Sequence, residues 1–476
     1  MADEVDYDVL VIGSGAAGLC AAVAAHEQGA QRILVAESEG VVGGSSRLSG
    51  GIVMAAESRL QKEAGIQDSV EDLLHDYLTF NQYGAEPAPV ATLVRRSGNT
   101  VDWMQDHGVP FAAELIRTGV ERGKRGHAVL GGGQGIIDAM HRYCRKHGIE
   151  IALGRRVDRL LVRDGAVYGI AVGDDQVTAR SVVVASGGFG ADLQKVAEYT
   201  PSVYWDGWTW YIGADGSRGD ALEMAAGVGA QLTGRGNVLR TLAPNFFPNK
   251  LNEAYQPGWA VMVDLQGRRF MDESALYAVV DQRYRHIGDR GFMIFDDAAM
   301  RPPKELADRY RSPYTESFPG REPFRPKNYQ PDLVDEMVAK GRMFKADTIA
   351  GLAAAAGLPE DALTAEIENY NRFCDAGDDA AYGKPADFLL PISKAPYYIA
   401  EVRPCTVNWT SYGMRVDGDA RVLHESGAEI PGLFAAGECT GGVLGRAYVG
   451  SGNSLANSCV MGRTAGEAAA RNATAA

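Results

Sequence analysis

The stretch YDVLVIGSGAAGLCAAVAAHEQGAQRILVAES, residues 7–38, decides the fold. It opens on a continuous apolar run that ends in Gly13, the pattern of a strand buried in a parallel sheet. GSGAAG then turns into an alanine-rich helix that stops at Gly29, and RILVAES reads as a second apolar strand. Strand, glycine turn, helix and strand within about 30 residues make a βαβ unit. Gly13, Gly15 and Gly18 have the spacing that lets a turn cradle a pyrophosphate. The first glycine allows the tight turn, the second lets the backbone approach the phosphates, and the third lets helix and strand pack closely. Ala16 and Ala17 open the helix, where N–H groups and a partial positive charge face an anion. Glu37, followed by Ser38, ends the second strand, where a carboxylate accepts hydrogen bonds from ribose hydroxyls. This is a dinucleotide site.

A second Gly/Ser loop, GVVGGSSRLSGG, follows at once and supplies Gly43, Gly44, Ser45, Ser46, Gly50 and Gly51. A nicotinamide enzyme has no need of one there. FAD does, because its pyrophosphate and ring system extend past the first loop. Near the other end LFAAGE places Gly437 and Glu438 at a strand end, suited to a ribityl hydroxyl. Asn453, Ser454 and Leu455 then begin a helix whose first amides can stabilise negative charge on a reduced flavin. Val157 and the strand-end residues Ala185, Ser186 and Gly187 complete the candidate cofactor set. The expectation is non-covalent FAD and no metal.

The rest of the composition narrows the class. A formal net charge of −14 disfavours a nucleic-acid partner. The six cysteines are scattered without a CxxC pair, which suggests buried free thiols rather than zinc or disulfides. No apolar run is long enough for a transmembrane segment, and the acidic start lacks a signal-peptide pattern, so a cytoplasmic protein is expected. Glycine makes up 58 of 476 residues, in pairs and triplets, as in backbone packed against a ligand.

VEDLLHDYLTF, PVATLVRRSGNTVDWMQDHGV and GGGQGIIDAMHRYCRKHG read as helices, and residues 149–173 as a hairpin or meander with turn signals at Asp164-Gly165. From Leu239 proline and aromatic residues rise, in LAPNFFPNK, YQPGW and RSPYTESFPGREPFRP, before helices at LVDEMVAKG and DALTAEIENYNRFCDAG. Strands resume after Pro391, and a last helix runs from about Ser454 into a tail, AAARNATAA, expected to fray. The expected fold class is α/β: a Rossmann-type FAD-binding domain, residues 1–238 and 392–476, with an inserted α+β capping (catalytic) domain, residues 239–391.

GSGAAGL, GGSSRLSGG, VVVASGGF, GDALEMAAGVGA, GRRFMDES, GLFAAGECTGG and GNSL together resemble the fumarate reductase/succinate dehydrogenase flavoprotein superfamily over essentially the full chain. The fumarate reductases of that group clamp a dicarboxylate with histidines and arginines. Here the corresponding positions carry Asn408 and Trp409, Tyr277 in place of the proton-donating arginine, and LGRAYVGSGN in the C-terminal loop. The pattern is similar to the 3-ketosteroid dehydrogenase branch, which includes desaturases of smaller cyclic ketones. That resemblance implies Tyr277 as base and Tyr448 with the Gly452 N–H as the site that holds the ketone oxygen. Tyr412 and Tyr211 are further candidates. The implied reaction removes the α proton to a tyrosine while the β hydride passes to flavin N5. The expected partner is a small cyclic ketone such as a 3-ketosteroid or an oxo-cyclohexane compound, with the external electron acceptor unknown. Two alternatives stand beside it: an ene reductase like the fumarate reductases, and a flavin-binding electron-relay subunit. Arg446 is read as internally paired or as a substrate-carboxylate ligand, His127 and His286 as core or surface residues, and Trp205 to Tyr211 as domain packing.

Overall fold

The computed structural model describes residues 5–117, 123–246, 257–310 and 329–475. The proline-rich stretch RSPYTESFPGREPFRP and parts of LAPNFFPNK and YQPGW lie outside the described residues. The chain divides into two compact units. One comprises residues 1–201, 211–239 and 408–476, the other 202–210 and 240–407.

The first unit is built on strands β1 (Tyr7–Ile12), β2 (Ile33–Ala36), β3 (Glu150–Ala152), β4 (Asp175–Val184), β5 (Arg421–Leu423) and β6 (Glu429–Ala435), in the order β5-β6-β4-β1-β2-β3. The pairs β6–β4, β4–β1, β1–β2 and β2–β3 are parallel, with Leu10 between Leu34 and Val182. Val9, Leu10 and Val11 are fully buried, as the unbroken apolar run requires. The expected hairpin is present as Arg159–Arg163 and Ala166–Val172, turning through Asp164 at φ +52°.

Helices α1 (Ala16–Glu27) and α2 (Asn453–Ala475) pack together on this sheet. Their approach is close because α2 carries glycine where it meets α1. A Cβ at Gly462 would stand 2.3 Å from the Ala17 carbonyl oxygen, and one at Gly466 would stand 2.1 Å from that of Ala21. Alanine-rich α1 is buried from Ala16 to Ala25. The terminal tail does not fray: it is helical to Ala475, because Ala470 and Ala473 are buried and extend the packed face.

In the second unit Gly291–Asp296 pairs antiparallel with Val261–Val263 on one side and with the long strand Tyr397–Thr410 on the other. Trp259, Phe295, Tyr329 and Tyr398 fill its core, Phe295 and Tyr398 stacked at 5.2 Å. The GRRFMDES motif supplies Arg269 and Glu273 to a buried ion network. Arg269 pairs with Glu273 and Asp379, each at 2.8 Å, and Lys384 reaches Glu273 at 3.1 Å. Each cation thus offsets the desolvation of a carboxylate. Arg403 lies over the rings of Trp205 and Trp208, and the Trp205 indole donates to the Pro404 carbonyl, so the start of the tryptophan-rich cluster is packing within this unit.

Candidate active site

The two Gly-rich loops and the start of α1 frame a cleft in the first unit. Gly13, Gly15, Ala16, Ala17, Glu37 and Ser38 line it from the βαβ unit, and Gly44, Ser45 and Ser46 from the second loop. Val157, Ala185, Ser186, Gly187, Glu438, Ser454 and Leu455 close the rest.

Six expected residues stand behind that wall and shape it. Gly18 admits no side chain: a Cβ there would lie 1.9 Å from the carbonyl oxygen of Gly13, itself at φ +100°. The Gly43 N–H donates to Ser14 Oγ at 3.1 Å. Gly50 and Gly51 back onto Gly132, where a Cβ on Gly51 would fall 2.5 Å from Cα. The Gly437 carbonyl accepts from Asn457, and the Asn453 amide donates to the Tyr77 hydroxyl at 3.1 Å.

The lining also includes Ser14, Glu39, Arg155, Ser217, Asn408 and Trp409, which the sequence reading did not assign to the cofactor. Ser217 sits in GADGSRGD, a small glycine-dense stretch that was the available signal; Trp409 gave none.

Glu37 does more than wait for a ribose. Its carboxylate accepts from the Ser14 N–H and the Glu39 N–H, each at 2.8 Å, and from the Ser14 hydroxyl. Because Ser14 Oγ also accepts from Gly43, Glu37 ties the two loops together. Glu438 is buried beneath the cleft. Thr410 donates to it from N–H at 2.8 Å and from Oγ1 at 3.0 Å, but burial dominates and raises its pKa from an ordinary 4.5 to about 7. Tyr211 stands behind the lining residue Ser45, its hydroxyl 2.9 Å from Ser45 Oγ, and burial raises the pKa of that phenol.

A raised carboxyl pKa has a defined sign. Its contribution to stability is full below about pH 4.5 and is lost as pH rises to about 7, because the unfolded chain ionises more readily. The apoprotein is therefore expected to lose about 3 kcal/mol relative to Glu438→Gln across that window. Denaturant unfolding at several pH values measures this, and parallel stability curves for the two proteins would refute it.

The residues proposed for chemistry are placed as follows. Tyr448 is buried, and its hydroxyl donates to Ser454 Oγ and accepts from the Ser454 N–H, both at 3.0 Å. Burial raises its pKa while the hydrogen bonds at the start of α2 act against that rise. Tyr448 does not itself line the cleft; Ser454 joins it to the cleft wall. Gly452, at φ +90°, is pressed against Ile52 and Met54, where a Cβ would lie 2.8 Å from the Ile52 side chain. The Tyr412 ring lies 5.0 Å from that of Tyr199 and tilted by 40° to it, with Arg235 over both rings. In the second unit Tyr277 is the first residue of the helix Tyr277–His286 and is buried. The nearby cations are committed elsewhere: Arg283 donates to the Phe270 carbonyl, and Arg285 pairs with Asp281. Arg446 is exposed. His127 is fully buried, 2.6 Å from Ser58 Oγ, and burial lowers its pKa to about 4; His286 is exposed.

Residues 8–455 match the FAD binding domain family. The chain belongs to that family and, with it, to the fumarate reductase/succinate dehydrogenase flavoprotein superfamily. It is 30% identical to the NADH:fumarate oxidoreductase of Klebsiella pneumoniae over 98% of its own length, and spans 48%, about half, of that protein. It is also 30% identical to a probable fumarate reductase of Shewanella frigidimarina, covering 98% of this chain and 75% of the other. Among solved structures it is similar to the 3-ketosteroid-Δ4-(5α)-dehydrogenase of Rhodococcus jostii in complex with 4-androstene-3,17-dione. The identity is 26%, the TM-score 0.77, and the cover 99% of this chain and 98% of that one. The protein is an FAD-dependent oxidoreductase acting on CH–CH groups.

The cleft fits FAD on its own chemistry. Ser186 Oγ, Glu39 Oε2 and Trp409 Nε1 line it as buried polar atoms with no partner among the described residues. Buried groups of this kind call for ligand or water partners. Gly188 leaves no room for a side chain, since its Cβ would stand 2.3 Å from a Glu438 oxygen that the ligand's hydroxyls would share. Among the described residues no group of histidine, cysteine or acidic side chains is suited to a metal, all six cysteines are free, and no helix is long and apolar enough to cross a membrane. Glu37→Gln is expected to weaken FAD binding by about 1.5–3 kcal/mol, roughly 10–100-fold, as a charged acceptor is lost. Fluorescence titration of the apoprotein checks this; unchanged affinity would remove Glu37 from the cofactor site.

Proposed function

We propose that the protein desaturates a cyclic ketone between the carbons α and β to its carbonyl. The observation that carries this reading is the Tyr448 phenol, held at the start of α2 beside the cofactor cleft. A phenol whose oxygen accepts a main-chain N–H at a helix start is polarised as a donor. In the proposed role it turns its proton to the ketone oxygen, and the Gly452 N–H is the second donor. Holding that oxygen acidifies the α carbon. Tyr277 takes the α proton, and FAD held in the cleft would supply the acceptor for the β hydride. The net change is loss of two hydrogens from adjacent carbons, one as proton and one as hydride. The similarity to the steroid dehydrogenase over nearly both full chains supports the ketone class. The capping role of the inserted segment, residues 239–391, belongs to the same proposal.

A second reading is an ene reductase running the opposite way on an unsaturated carbonyl or carboxylate. The 30% identity to fumarate reductases favours it. Asn408 and Trp409, at the positions where the family resemblance places the dicarboxylate-binding histidines, speak against a dicarboxylate substrate. Turnover with an artificial electron acceptor separates the two. The expected product from a saturated 3-oxosteroid or an oxo-cyclohexane has a new double bond next to the carbonyl. Hydrogenation of unsaturated acids by the reduced protein, with no ketone oxidised, would establish the second reading instead.

A further inference from the structure

We propose that Ser454 is a positioning residue that couples Tyr448 to the cofactor cleft. The hydroxyl of Ser454 accepts the phenol proton at 3.0 Å, while its own N–H is given to the phenol oxygen at the same distance. A serine hydroxyl has one proton and can accept twice. With its acceptor side taken by Tyr448, Ser454 Oγ still has that proton to give, and no described residue receives it. Ser454 lines the cleft and Tyr448 does not, so the direction left for that proton is the cleft. The result is a chain of donors in one sense: Ser454 N–H to phenol, phenol to Ser454 Oγ, Ser454 Oγ–H to the bound cofactor. Each bond in such a chain polarises the next.

Two consequences follow. Ser454 presents a strengthened donor to negative charge that develops on the cofactor during reduction. It also anchors the phenol oxygen through its N–H, a bond that remains when the single phenol proton leaves Ser454 Oγ for a substrate oxygen. Tyr448 acts on the cofactor through Ser454, which lines the cleft. The inference rests on Tyr448 being the ketone-holding residue, but its test needs no ketone.

The test is the midpoint potential of the bound FAD, measured by reductive titration of the holoenzyme in wild type, Ser454→Ala, Tyr448→Phe and the double variant. Ser454→Ala is expected to shift the equilibrium about tenfold towards oxidised FAD, a fall of about 30 mV for a two-electron couple. Tyr448→Phe should shift it the same way by less. The double variant should match Ser454→Ala alone, because one path has been cut twice. Ser454→Thr, which keeps the hydroxyl, should restore the wild-type value. If Ser454→Ala fails to retain FAD, Ser454→Cys gives the same comparison with a weaker donor. A wild-type potential in the Ser454 variant, or shifts that simply add in the double variant, would overturn the proposal. Either result would leave the ketone reading to be judged by ketone turnover.

Discussion

Tyr277→Phe is expected to bind its ketone normally and to reduce its flavin about 10²–10⁴-fold more slowly, the scale of lost general base catalysis. The ring stays, so the helix start keeps its packing; only the proton acceptor goes. A phenol is ordinarily a poor base at neutral pH, since its pKa is near 10. Arg283 and Arg285 do not remedy this in the structure, because one serves the Phe270 carbonyl and the other Asp281. The activating group for Tyr277 must therefore come from the bound substrate complex or from other side chains. Anaerobic stopped-flow reduction measures the rate. A wild-type rate would exclude Tyr277 and move the role to Tyr412, although its place between Tyr199 and Arg235 suits packing better than proton transfer.

Tyr448→Phe should fail in a different way. Reduction is expected to slow about 10²–10³-fold, the cost of one oxyanion donor. Binding of phenolic or enolate-like analogues should weaken as well, because they carry the charge that this phenol meets. Burial pushes the Tyr448 pKa up, so at neutral pH it keeps its proton and serves as a donor rather than a base. The substitution also leaves the Ser454 N–H without the acceptor it has now, so a loss of local stability of about 1–3 kcal/mol is expected alongside. Analogue titration beside stopped-flow separates the effects: normal analogue affinity together with a wild-type rate of reduction would mean that the phenol only packs.

The βαβ unit was legible because its residues satisfy several demands at once. Val9 to Val11 can only be a two-sided buried strand, and Gly18 can only be glycine when the Gly13 carbonyl oxygen sits where its Cβ would go. Glu37 was read as a ribose ligand, and its position in the cleft wall is as expected; its bonds to Ser14 and Glu39 were not readable, since they depend on how the second loop folds back. Trp409 and Ser217 reach the cleft from segments far apart in sequence, and spacing carries no trace of such contacts. The terminal helix was under-read for the opposite reason. A run of alanines looks indifferent in sequence, yet against α1 it is a packing face. The link from Tyr448 to Ser454 spans only six residues and is still illegible in sequence, because it depends on how the loop before α2 turns the phenol back onto the helix start.

In the proposed reaction the protein takes a proton and a hydride from adjacent carbons beside a ketone. Anaerobic mixing of the oxidised, FAD-loaded protein with saturated 3-oxosteroids and with small oxo-cyclohexane compounds tests it most directly. At least one of these ketones should bleach the flavin, and succinate should not. Flavin that stays oxidised with every ketone, in a protein whose reduced form is rapidly reoxidised by fumarate, would contradict it.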